Sequence, residues 1–177
     1  MLVITGPVGV GKSTVAAAVS DLLDRAGVPH ALVDLDHLRQ RYPAPADDPF
    51  HIGLGLRNLA AVWANYQAAG AQRLVLADVV ESRADVRGYR DAVPGAAILV
   101  VRLTASLATI EGRLAGRETG AGFEWHRRRA AELMGLMERN RVEDVLVDTE
   151  GKSAIMAARE AVVLSHWLDG SQTPDVA

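Results

Sequence analysis

Lysine occurs twice in this chain of 177 residues, and one of the two, Lys12, stands directly before a serine at the end of a glycine-rich stretch. From Gly6 to Ser13 the spacing is G-x-x-x-x-G-K-S, and Thr14 leads on into a helix-like run. Gly6, Gly9 and Gly11 permit a tight loop whose backbone N–H groups, those of Val8 and Val10 included, face an anion. The following helix adds the positive end of its dipole. Lys12 is placed to reach the outer phosphates as a compact cation, and Ser13 to offer its hydroxyl to magnesium. Arginine would not substitute for Lys12, because its rigid fork suits a different geometry. The loop therefore predicts binding of a nucleoside triphosphate, with ATP and Mg2+ as the expected pair. A dinucleotide loop is excluded, since Val8 and Thr14 stand where G-x-G-x-x-G would need glycine. The later "EGKS" (Glu150 to Ser153) is no second loop, because the position five before Gly151 is Leu146, inside an apolar run.

Carboxylates supply the next chemistry. In "LVDLDHLRQRYP" (Leu32 to Pro43), Asp34 and Asp36 follow an apolar run at i and i+2. That pair could divide two tasks, with Asp34 near the magnesium shell and Asp36 taking the proton of an acceptor hydroxyl. Phosphoryl transfer rests mainly on positioning and charge stabilisation, so such a base assists the step without driving it. Either aspartate could instead cap the next helix. A third carboxylate, Asp78, closes "RLVLAD" and fits an indirect, second-sphere holder of magnesium, a helix cap, or a solvated loop acid. Glu81 and Arg83 lie just beyond it and could line an acceptor pocket.

Five short apolar runs must position these groups: Leu2 to Thr5, His30 to Asp34, Arg73 to Asp78, Ala97 to Leu103, and Asp144 to Asp148. Each precedes a helix-length segment, the first of them from about Gly11 to Ala26. Continuous apolar strands suit a parallel sheet covered on both faces. The expected fold is α/β, an open doubly wound five-stranded parallel sheet with helices on both faces. Ligands in such sheets sit beyond the carboxyl ends of the strands, where the phosphate loop and the aspartates stand. One domain over 1–170 is expected, with a loose tail over 171–177; "PAPADDP" (Pro43 to Pro49) reads as a loop.

Composition narrows the function. The net charge of -3 gives no overall pull toward polyanions, which argues against a nucleic-acid partner. There is no cysteine, hence no disulfide, thiolate metal site or cysteine nucleophile. No apolar stretch approaches the ~20 residues of a membrane span, and the N-terminus lacks the basic start of a signal peptide, so a cytoplasmic protein is expected. A guanine-specific switch needs an N-K-x-D element, and the only other lysine lies in "DTEGKS". The serine-glycine signature of transporter ATPases and the second helical domain of ring motors are both missing from the sequence. A small kinase remains.

On these residues the chain resembles the P-loop kinases of small molecules and nucleotides, the group that includes shikimate, gluconate, adenylyl-sulfate and chloramphenicol kinases. Its "DLD" is similar to the D-x-D of shikimate kinases, but "ADVVES" stands where those enzymes carry a glycine triplet. With its "YPAP…DP" loop and "NLAAVW" helix it resembles more closely a set of actinobacterial ATP-binding proteins. The resemblance implies a three-layer P-loop NTPase fold and an acceptor contact at Asp36. It also implies a small arginine-bearing lid at about 113–128, closing over the phosphates through Arg113 and Arg117, with Arg127 to Arg129 as further candidates. Those two arginines, four apart, would share one helix face, and the glycines at 116, 120 and 122 would form a hinge. His126 reads as a surface or packing residue, and Met134 and Met137 as core. The loop "DTEGKS" would lie beside the adenine. The segment from Arg39 to Gln67 would cover a small-molecule acceptor, with Arg39, Tyr42, Arg57 and Asn58 able to contact it, whereas Trp63 suits the core. A homodimer stays open, as do two rival functions: a polynucleotide 5′-hydroxyl kinase, and an ATP-binding regulator or resistance protein with little transfer.

Overall fold

The computed structural model describes residues 1–117 and 119–167. Five strands form one parallel sheet: β1 (Leu2–Thr5), β2 (His30–Asp34), β3 (Arg73–Ala77), β4 (Leu99–Thr104) and β5 (Val145–Asp148), in the order β2-β3-β1-β4-β5. β1 is central, with Leu2 beside Val75 on one flank and Leu99 on the other. All four of its residues are buried, as a strand covered on both faces requires. The helices are α1 (Lys12–Arg25), α2 (Leu35–Leu38), α3 (Ile52–Ala68), α4 (Asp85–Ala92), α5 (Leu107–Ala115), α6 (Gly120–Asn140) and α7 (Ala154–Leu164).

Alternation along β1 divides the core into two layers, because successive side chains of a strand point to opposite faces. Leu2 and Ile4 pack with Val15, Val19 and Leu23 of α1 and with Ala157, Ala158 and Ala161 of α7. Val3 faces the other way, toward Leu59 and Trp63 of α3, Tyr89 of α4, and Leu133 and Met137 of α6. Each fully buried Leu or Ile side chain contributes about 1.5–3 kcal/mol relative to exposure. Trp63 and Met137 are thus core residues, and Met134 is half-buried against the first cluster.

β1 and β2 coincide with the expected apolar runs, and β3, β4 and β5 differ from them by one or two residues at one end or both. β3 ends at Ala77 and leaves Asp78 just past the sheet. β4 starts at Leu99 rather than Ala97, whose carbonyl instead accepts a 2.7 Å bond from the N-terminal amine. The charge inside β4 is paired, Arg102 meeting Glu143 through two bonds of 2.8 and 2.9 Å. Among the described residues no helix is long and apolar enough to cross a membrane. The expected tail at 171–177 lies outside the described residues.

Candidate functional site

At the carboxyl end of β1 the chain turns into the loop from Gly6 to Gly11 and then into α1. Gly6 has φ +144°, and a Cβ there would stand 2.6 Å from the Leu103 carbonyl oxygen of the neighbouring strand. Only a residue without a side chain lets β4 and the loop approach this closely. Gly11 caps α1 in the left-handed conformation, with φ 105°. The loop is thus backbone wrapped around a helix N-terminus, the arrangement that binds phosphate. Thr5 fixes its root, its buried hydroxyl accepting a 2.8 Å bond from Val80 N–H in the loop after β3.

Lys12 is half-buried, with Nζ 3.4 Å from the Pro7 carbonyl. Burial pulls its pKa below the ordinary lysine value, and the nearby Asp36, Asp78 and Asp34 carboxylates oppose that shift. Ser13 donates a 2.5 Å hydrogen bond to Asp34 Oδ2 at the end of β2. The other Asp34 oxygen accepts the Asp36 backbone N–H at 3.1 Å, so the same aspartate also caps α2. The cap that the sequence offered for Asp34 is therefore present, and the same carboxylate also engages the serine of the loop. A hydroxyl and a carboxylate side by side are hard oxygen donors of the kind magnesium takes, usually one or two from protein with water and phosphate completing the shell. Among the described residues no group of three or more His, Asp or Glu could hold a metal without such help.

Asp36 is exposed and ion-paired with Arg39 one helical turn on. The same Arg39 nitrogen lies 3.2 Å from Asp78 Oδ1, so one guanidinium joins two carboxylates. That oxygen has the ion pair but no partner in hydrogen-bond geometry. Asp78 Oδ2 accepts a 2.6 Å bond from the Tyr89 hydroxyl. Burial raises the Asp78 pKa, against the lowering effects of Arg39 and Tyr89. The Tyr89 hydroxyl is held well above its ordinary value by burial and by the adjacent Asp78 charge. For Arg39 burial opposes the charge, but Asp78 and Asp36 outweigh it and raise the pKa. Asp78, expected as an indirect magnesium holder, directs its oxygens at Arg39 and Tyr89, and its charge acts on Lys12 of the loop.

Two cavities flank the loop. One, of about 240 Å³, has Val8 at the loop side and Asp36 and Arg39 on one wall. Phe50, Trp125 and Leu133 give it an apolar surface, while Glu81, His126 and Arg129 add polar groups. The other, of about 190 Å³, lies between Val10, Gly11 and Thr14 and the loop after β5, where Thr149, Lys152 and Ser153 line it.

No protein-family model matches this sequence, and no curated protein is similar to it in sequence. Solved structures are similar in fold. An adenylyl-sulfate (APS) kinase from Mycobacterium tuberculosis, in complex with AMPPNP and APS, superposes with a TM-score of 0.64 at 23% identity, over 93% of this chain and 96% of that one. A gluconokinase from Sinorhizobium meliloti 1021 gives 0.58 at 22%, over 94% and 91%. A shikimate kinase from Acinetobacter baumannii, in complex with shikimate, gives 0.59 at 19%, over 97% and 94%. The fold is that of the P-loop kinases.

Within this P-loop kinase fold several expected residues take other places. Arg113, expected in the lid, donates from its guanidinium to the Val10 carbonyl at 2.8 Å and to the Thr149 hydroxyl and carbonyl at 3.0 Å each. Three bonds fix it as a tie between the phosphate loop and the loop after β5. Arg117 does not share its helix face, because α5 stops at Ala115 and Gly116 caps it. Arg117 lies exposed in the following turn, its N–H bonded to Leu114 O at 2.9 Å. The rest of the expected lid is the start of α6, and Glu118 lies outside the described residues. Of the arginine triplet, Arg129 lines the larger cavity, while Arg127 is paired on the surface with Glu124 and Glu111.

On the acceptor side, Arg39 lines the larger cavity but Tyr42, Arg57 and Asn58 do not. Tyr42 is 93% exposed. Arg57 lies on the outer face of α3. Asn58 donates to the Leu38 carbonyl at 2.6 Å, tying α2 to α3. For Arg57 and Asn58 the reason lies in α3, which turns its apolar stripe to the core and leaves Arg57 outside and Asn58 against α2. Sequence reasoning missed Phe50, Trp125 and Tyr89, and set Lys152 aside as part of a decoy. The bulk and position of Trp125, one turn ahead of Arg129, were the available signal.

Proposed function

We propose that this protein is an ATP- and magnesium-dependent phosphotransferase that moves the γ-phosphoryl group to a hydroxyl of a small molecule. The observation that supports this reading best is the position of Asp36. It stands on the wall of the larger cavity, two residues from the aspartate that engages Ser13 of the phosphate loop. A hydroxyl held in that cavity meets a carboxylate and the phosphate end of the loop together. The smaller cavity beyond Gly11 and Thr14 suits the nucleoside, with Arg113 fixing the distance between its two walls. Structures of similar fold hold AMPPNP with APS, and shikimate, in kinases so named.

In the proposed reaction the acceptor oxygen forms a bond to the γ-phosphorus as the bond to the β,γ-bridging oxygen breaks. The hydroxyl proton passes to Asp36, and ADP takes the bridging oxygen and its electron pair. Lys12 binds the outer phosphates and stabilises charge developing there. Ser13 and Asp34 would hold magnesium, which supplies charge neutralisation on the phosphate oxygens when bound. Arg39 orients Asp36 and balances its charge before the proton arrives. The proposed location is the cytoplasm, where ATP is plentiful.

Calorimetry with ATP and magnesium, paired with turnover, tests this reading. Lys12→Ala is expected to abolish triphosphate binding, whereas Asp36→Asn is expected to keep it and lose turnover. Binding by a wild-type protein that transfers nothing to any hydroxyl would point instead to an ATP-binding regulator.

A further inference from the structure

The larger cavity is walled by charged side chains that are already paired. Arg39 faces it between Asp36 and Asp78. Arg129 faces it in contact with Glu81, and a second carboxylate, Glu132, lies 3.5 Å from its other nitrogen. Each cation is therefore matched by two anions, and neither guanidinium offers a bare fork to an incoming carboxylate or phosphate. Arg57, the other cation expected on this side, lies outside the cavity. Beside the His126 imidazole, the remaining wall is apolar and aromatic: Val8, Phe50, Ile52, Val79, Trp125 and Leu133. Arg129 also lies over the Phe50 ring, with Cζ 5.8 Å from its centroid, a cation–π contact.

From this pairing we infer that the acceptor carries no negative charge: it is an uncharged or cationic hydroxyl compound with an aromatic or aliphatic body. The inference rests on the proposed phosphotransfer for the cavity's role as acceptor site. An anion bound here would lie against the Asp36 and Glu81 carboxylates, beside arginines that are already paired, and like-charge juxtaposition disfavours a wrong partner strongly. An apolar body would bury against Phe50, Trp125 and Leu133, which supplies the affinity. Its hydroxyl would turn to Asp36, the polar group nearest the phosphate loop. A cavity of about 240 Å³ has room for one ring system with short substituents.

Two aromatic alcohols of nearly equal shape test this without turnover: 4-(hydroxymethyl)benzamide, uncharged, and 4-(hydroxymethyl)benzoate, an anion. Ligand-observed NMR titration against the protein saturated with AMPPNP and magnesium reads the two affinities. The uncharged probe is expected to bind at least about tenfold more tightly. Glu81→Gln removes the closest partner of Arg129 and is expected to shrink that ratio by about tenfold, through gained affinity for the benzoate. Equal or tighter binding of the benzoate to the wild type overturns the inference. So does an unchanged ratio in a folded Glu81→Gln protein, or binding of neither probe at millimolar concentration. Because binding is read apart from transfer, a protein that shows the preference but no turnover refutes the phosphotransfer reading alone.

Discussion

Tyr89→Phe removes one oxygen atom and should weaken the whole protein. The phenol donates at 2.6 Å to Asp78, whose side chain is 4% exposed, so water cannot replace the lost donor. A hydrogen bond to a charged acceptor is worth about 1.5–3 kcal/mol, and a loss of about 2 kcal/mol is expected. For a chain of this length that corresponds to a fall of roughly 4–8 °C in Tm. The pH dependence carries the sharper test. Burial holds the folded-state pKa of Asp78 above its ordinary value. A raised aspartate adds stability that is complete below the unfolded pKa and is lost as pH rises through the folded pKa. Without the phenol the folded pKa rises further, so the deficit of the variant should be largest near neutral pH. It should narrow at acid pH, as the pH falls through the raised folded-state pKa and Asp78 takes up a proton. Urea denaturation of wild type and Tyr89→Phe at both pH values measures it, and an Asp78→Asn background should reduce the deficit at neutral pH. An equal deficit at both pH values, or none, would refute the claim that the phenol acts by stabilising an ionised carboxylate.

Further outcomes follow from the same geometry. Arg113→Ala should weaken ATP binding about tenfold or more by calorimetry, because the tie from the phosphate loop to Thr149 is lost while the loop keeps Lys12. Retained affinity would show that the two loops hold their spacing without it. Gly6→Ala should lower Tm by roughly 6–12 °C, on the order of 3 kcal/mol, since its Cβ would stand 2.6 Å from a backbone oxygen that cannot move away freely. A melting curve like that of the wild type would contradict the packing described at the root of the loop.

The phosphate loop, five parallel strands and the places of Asp34 and Asp36 were legible in the sequence because their causes are local. An apolar run followed by a glycine loop or an aspartate needs only its neighbours to be read. The partners of Arg113 were not legible, because they lie 103 and 36 residues away and spacing along α5 says nothing of them. The same holds for Asp78, whose tyrosine partner belongs to another helix and whose arginine comes from α2's end. Arg57 and Asn58 were polar, near the right place, and turned elsewhere by the rotation of α3 about its apolar stripe. The larger cavity draws on α6, the loop before α3 and the loop after β3, so only the folded chain assembles it.

The most direct measurement is incubation of the wild-type protein with ATP, magnesium and a pool of small hydroxyl compounds, followed by mass spectrometry. A product heavier by one phosphoryl group, formed with release of ADP, is expected with the wild type and is expected to vanish with Asp36→Asn although that variant still binds ATP. Equal product from both proteins would contradict the role given to Asp36, and the absence of any phosphorylated product from either would contradict phosphotransfer itself.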